Sequence, residues 1–169
     1  MYPEKLGISD RFSKIDDIIN YIRSNKINMY DKLYLRRNIW DVKQKSSFIE
    51  SIFLRIPIST VCLDVTNLYN YHNMYGDDEI LIIDGWNRIN SVWSFMQGDY
   101  VLSDLDYFTN LHGLRWEDLP NRYKNCIDAA DVSIIIIDCP TQMLPTDELW
   151  NLYRRINPHY NITLKKKEN

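Results

Sequence analysis

Asp84-Gly85-Trp86-Asn87-Arg88 brings a carboxylate, a glycine and a guanidinium into one short segment. An apolar run, Glu79 to Ile83, precedes it, and Ile89, Val92, Trp93 and Met96 follow at helical spacing. The pattern is a buried strand, a tight turn and the start of a helix. The first turn of a helix carries unpaired N–H groups and the positive end of the dipole, so it stabilises an anion. Gly85 permits close approach of a ligand or a neighbouring backbone. Arg88 lies off the apolar stripe and offers a planar fork to phosphate oxygens. Two readings stay open on these residues alone. Either the turn holds a phosphate, or Asp84 caps the helix and Arg88 pairs with a carboxylate. The chain has no GxxxxGK[ST] and no GxGxxG phosphate loop.

Other chemistry is weakly represented. Cys62, Cys126 and Cys139 are odd in number and widely spaced, which argues against a zinc site or a disulfide framework and fits a reducing cytoplasm. His72, His112 and His159 are isolated from one another, and no GxSxG marks a serine hydrolase. The net charge of -3 gives no global attraction to nucleic acid, although Arg36-Arg37, Arg154-Arg155 and Lys165 to Lys167 are local basic clusters. The polar start is no signal peptide, and the run Ile134 to Ile137 is too short to span a bilayer. With 169 residues, 45% of them apolar, the chain is expected to form one domain with a real core.

The elements that must position the turn are legible in outline. Asp16 to Ser24 reads as a helix with Ile15, Ile18, Ile19 and Ile22 on one face; Lys32 to Leu35 reads as a short extended segment. Val42 to Leu54 is helical by the spacing of Phe48, Ile49, Ile52 and Phe53, and stops before Ile56-Pro57. Ser59 to Val65 and Glu79 to Ile83 are strands, joined by a polar loop or hairpin connection over Thr66 to Asp78. The helix after Gly85 runs to Gln97, where Gly98 stops it. Tyr100 to Leu102 is expected as a short strand, and Trp116 to Pro120 as a turn into a helix near Arg122 to Ala129. Val132 to Asp138 is expected as a central strand, and Thr146 to Ile156 as a last helix capped by Thr146. Strands and helices mix without a βαβ rhythm, which points to a compact α+β domain.

Four ordered segments carry a family resemblance: Tyr34 to Trp40 (YLRRNIW), Ser47 to Ile58 (SFIESIFLRIPI), Ile83 to Ile89 (IDGWNRI) and Tyr153 to Asn157 (YRRIN). Together they resemble the FQRxxVW, IES-x-LL-x-x-PIP, DGQQR and F-x-RIN segments of the N-terminal domain of GmrSD-type modification-dependent restriction proteins. Trp116 to Pro120 resembles that family's F-x-DLP turn and reads as structural. The resemblance covers about residues 30 to 164. It implies a ParB/sulfiredoxin-like α+β fold, a small mixed sheet flanked by helices. Residues 1–169 would form one domain, with 1–29 as a helical extension and 165–169 as a polar tail.

It also implies a nucleoside triphosphate site, with Mg²⁺, and in several relatives hydrolysis. By position, Asp84, Arg88 and Glu50 are the candidate catalytic residues. Arg36, Gly85, Trp86, Asn87, Arg155 and Asn157 are the candidate nucleotide contacts. Glu50 would orient an arginine or hold metal through water; its bland alternative is a buried carboxylate paired with an arginine. The box reads DGWNR where the family has DGQQR, which puts hydrolysis in question, and Leu35 replaces the glutamine of FQR. Trp86 either stacks on a base or packs in the core. No HNH-like segment occurs, so DNA cleavage by this chain alone is not expected. The remaining readings are a non-catalytic regulator, decoy or phage-encoded interactor, and an accessory that recognises modified DNA. A partner nuclease chain or DNA would then complete the system in the cytoplasm.

Overall fold

The computed structural model describes residues 7–27, 29, 39–65, 80–138, 151, 154 and 155. Its elements are β1 (Gly7–Lys14), α1 (Ile15–Arg23), α2 (Val42–Phe53), β2 (Ile58–Asp64), β3 (Leu81–Asp84), α3 (Trp86–Met96), α4 (Asn121–Asp128) and β4 (Asp131–Asp138). They form an α+β fold in which helices flank a four-stranded mixed sheet of order β1-β4-β2-β3. The β4 strand runs parallel to β2 and antiparallel to β1, while β2 and β3 are antiparallel.

Alternation along the strands sorts the side chains. Val61, Leu63, Ile82, Val132 and Ile134 join Ile15, Ile18, Ile19, Ile49, Ile89, Phe95 and Ile127 in one core. Cys62, Leu81, Ile83 and Ile137 are buried outside that cluster, at the alternate positions. The density of isoleucine follows from the two demands placed on these segments. A β-branched side chain fills a pleated sheet well, and four isoleucines at helical spacing give α1 its inward face.

Local signals set the helix ends. Asp41 accepts a bond from the Gln44 N–H, and the Gln44 side chain accepts from the Asp41 N–H, a reciprocal cap that starts α2. Gly98 takes φ 78 just beyond α3, the left-handed position that stops a helix. The helix near Arg122 to Ala129 and the central strand Val132 to Asp138 appear as α4 and β4. The turn at Trp116 to Pro120 is closed by the Leu119 N–H donating to the Trp116 carbonyl at 3.2 Å.

Two expectations are corrected. Residues 7–14 form an edge strand, so among its described residues the N-terminal segment is helical only over Ile15–Arg23, and α1 lies within the common core. The strand carries one strong apolar alternation only, Ile8 and Phe12, which is too little to distinguish it from a polar loop. Tyr100 to Leu102 is not a strand; Leu102 exchanges backbone bonds with Gly113 and Leu114 in a loop. The expectations for Lys32 to Leu35, Thr66 to Asp78 and most of Thr146 to Ile156 lie outside the described residues, although Asn151, Arg154 and Arg155 are helical.

Candidate functional site

The turn between β3 and α3 is built by register. The pairing of β2 with β3 shifts between Cys62 and Leu63, which sets Asp84 opposite Cys62. Gly85 then turns the chain with φ +93. A Cβ there would stand 2.8 Å from Val61 Cγ2 and 3.3 Å from Val61 Cα, so the turn is pressed against β2. Only glycine meets both the left-handed backbone and the missing space.

Gly85, not Asp84, occupies the N-cap position of α3, and no side chain caps this helix end. Asp84 ends β3 and turns instead to Arg88. Arg88 Nη2 donates to Asp84 Oδ2 at 3.0 Å and to the Thr60 carbonyl at 2.8 Å. The pair is largely removed from solvent, with the arginine side chain 19% and the aspartate side chain 23% exposed. Arg88 Nε is buried and has no hydrogen-bond partner among the described residues. A guanidinium presents five donors, and the fold leaves at least this one unused.

The electrostatics on the sheet side are acidic. Burial pushes the Cys62 thiol up to about 12, and the nearby Asp84 and Asp64 carboxylates add to it. Asp64 is itself buried. Sequence reasoning passed over Thr60 and Cys62, because strand register alone brings them to the turn, and Asp64, which lies opposite Leu81 and acts on the Cys62 thiol. The one available signal was a carboxylate inside the otherwise apolar run VCLDV.

The remaining expected residues divide into three groups. Trp86 and Asn87 brace the turn. The Trp86 indole N–H donates to the Met29 carbonyl at 3.3 Å, and the ring packs against the core. Asn87 Oδ1 accepts the Trp40 N–H at 3.3 Å, tying α3 to the entry of α2. Glu50 lies inside, 4% exposed, and holds a loop. Its Oε1 accepts the N–H groups of Tyr107 at 2.7 Å and Phe108 at 2.9 Å, and its Oε2 accepts that of Asp106 at 3.0 Å. Burial pushes its pKa up, but the three backbone donors outweigh burial and hold it below the usual glutamate value. The paired carboxylate of the bland reading is therefore present, with backbone amides in place of an arginine. Arg155 is helical and exposed, while Arg36 and Asn157 lie outside the described residues.

Among the described residues, no cluster of three or more His, Cys, Asp or Glu side chains is placed to hold a metal ion. No helix among them is long and apolar enough to cross a membrane. Comparison with protein families, with curated proteins and with solved structures finds no match.

Proposed function

We propose that the chain is a nucleotide-binding domain whose polyphosphate sits at the turn Asp84 to Arg88. One observation carries the reading: Arg88 Nε is buried and unpartnered among the described residues beside a helix start that no side chain caps. A phosphate oxygen there would take that donor and the first-turn N–H groups together. The family resemblance of the same segment supports a nucleoside triphosphate with Mg²⁺. It also supports a place in a modification-dependent defence system in the cytoplasm, with any nuclease on a partner.

Binding without hydrolysis is the favoured form of this reading. Glu50 is occupied by three backbone donors and Asp84 by Arg88, so neither carboxylate stands ready to take a proton from water.

The test is thermal stabilisation of the whole chain by each of the common nucleoside triphosphates with Mg²⁺, together with a phosphate-release assay. At a hundredfold excess over Kd a ligand stabilises by about 2.7 kcal/mol, which raises Tm by roughly 5–10 °C for a domain of this size. Arg88→Lys keeps a cation for Asp84 but removes Nε, and should weaken binding about tenfold. No shift with any triphosphate refutes the proposal; phosphate release at catalytic rates refutes its non-hydrolytic form.

A further inference from the structure

We infer that the β1 edge and the groove beside it form a docking site for an extended, acidic segment of a partner protein. Among the described residues β1 pairs only with β4, so it is an edge of the sheet. The direction of its main chain follows from two bonds. The Ile15 N–H reaches the Ala130 carbonyl, while the Lys14 N–H goes to the Asp17 side chain. In an antiparallel pair the main-chain groups of successive residues alternate in direction. Counting back by twos, Ser13, Arg11 and Ser9 face β4, and Phe12, Asp10 and Ile8 turn their N–H and C=O groups outward. The same three residues share one face of the sheet. Phe12 is 83% and Ile8 62% exposed. The register along all of β1 is unbroken, and the strand contains no proline. An edge that long and regular, with exposed Ile8 and Phe12 on either side of Asp10, lacks the usual protections against strand addition apart from its charges.

A groove of about 830 Å³ adjoins it, with Phe12 on one wall and Ile52, Ile56 and Cys126 among its lining. Arg55 and Arg122 also line it. Local structure fixes the backbone of Arg55 and the guanidinium of Arg122. Arg55 sits at φ 58 beyond α2, where its N–H bonds the Ile52 carbonyl and the next N–H bonds that of Ser51. This is the cap that usually takes glycine. Arg122 lies over the Tyr123 ring at 4.6 Å and donates to the Tyr123 hydroxyl at 3.0 Å. The one carboxylate of the lining, Asp131, is neutralised by Lys14. Arg55 and Arg122 outnumber Asp10, the carboxylate that β1 itself sets on this face, and the floor beneath them is apolar. The surface therefore calls for an occupant with carboxylates and apolar side chains in alternation, the pattern of an added strand.

A second copy of this chain fits poorly. Pairing two β1 strands with Ile8 opposite Phe12 sets Asp10 against its own counterpart. Moving the register by two toward Lys14 sets Arg11 against Arg11. Like charges directly opposite destabilise a pair. Moving it by two again needs the Lys14 N–H, which Asp17 already holds. Moving the first register by two the other way pairs only residues 7–11 of β1 and sets Ile8 against Asp10, which leaves Phe12 out of the pairing.

The probe is a capped peptide of alternating valine and glutamate, added to the whole isotope-labelled chain, with amide hydrogen exchange read residue by residue. In the free protein the amides of Ile8, Asp10 and Phe12 should exchange faster than those of Ser9, Arg11 and Ser13. The peptide should slow the first set at least about tenfold. Arg55→Glu with Arg122→Glu should abolish that slowing, and a valine–lysine peptide should not produce it. Unchanged exchange of the Val132 and Ile134 amides shows that the variant is folded. Protection of Ile8, Asp10 and Phe12 in the free chain overturns the inference, because the edge would already be covered. So does the absence of any effect of the peptide. Tighter binding of a short oligothymidylate than of the acidic peptide would make the surface a nucleic-acid site and equally overturns it.

Discussion

Replacing Glu50 separates a structural carboxylate from a catalytic one. The side chain takes three backbone N–H groups from residues 106–108 at 2.7–3.0 Å. A hydrogen bond to a charged group contributes about 1.5–3 kcal/mol, and an abandoned buried donor costs about as much. Asp106 and Tyr107 are exposed, so their N–H groups regain water when the carboxylate is removed, and the sum is discounted. Glu50→Ala should therefore destabilise by about 4 kcal/mol, a fall in Tm of roughly 8–16 °C at this chain length. Glu50→Gln keeps a carbonyl oxygen for Tyr107 and Phe108 but turns an amide N–H₂ toward the Asp106 donor. Its cost is about 2 kcal/mol.

The pH dependence fixes the sign. Because the folded pKa is lowered, the charge of Glu50 contributes stability that is fully present above the unfolded value, about 4.3. That contribution is lost as pH falls through the folded value. The gap between wild type and Glu50→Gln should be constant near neutrality and close in acid. The assay is urea unfolding of both proteins across that range. A Glu50→Ala variant as stable as wild type, or a gap that widens in acid, refutes the structural role. Unchanged stability with lost phosphate release would return Glu50 to catalysis.

Two further outcomes are expected from the geometry. Gly85→Ala should cost about 3 kcal/mol or more, since a left-handed backbone and a clash with Val61 coincide. Gly98→Ala, with open space around the new Cβ, should cost only about 1–2 kcal/mol; equal Tm losses would contradict this. Iodoacetamide near neutral pH should label Cys126, which is partly exposed, well before Cys62, whose thiol is buried and pushed up to about 12. Peptide mass spectrometry reads the order, and early labelling of Cys62 would show the strand face to be open.

Much of the architecture was legible because periodicity reports burial. The isoleucines of α1, the spacing through Ile49 and Ile52 and the run Val132 to Asp138 each match an element in kind and nearly in extent. Residues 7–14 were not legible: their partner lies more than a hundred residues away in sequence, and pairing with β4 supplies the bonds that their own composition does not announce.

The turn opened by Asp84 shows the same division. The strand, the tight turn and the helix could be read from Glu79 to Met96, because apolar spacing and a glycine are local signals. What the charges do there could not be. A carboxylate beside a helix start is equally suited to capping and to pairing, and the arginine that follows it to pairing and to binding an anion. Only the slip in β2–β3 register, which places Asp84 opposite Cys62 and Arg88 against the Thr60 carbonyl, shows that the pair forms through Nη2 while Nε stays without a partner among the described residues. Glu50 likewise reads as reactive in a list of residues. The tertiary fold brings three backbone donors to it from more than fifty positions away, which makes it an anchor for the loop it holds.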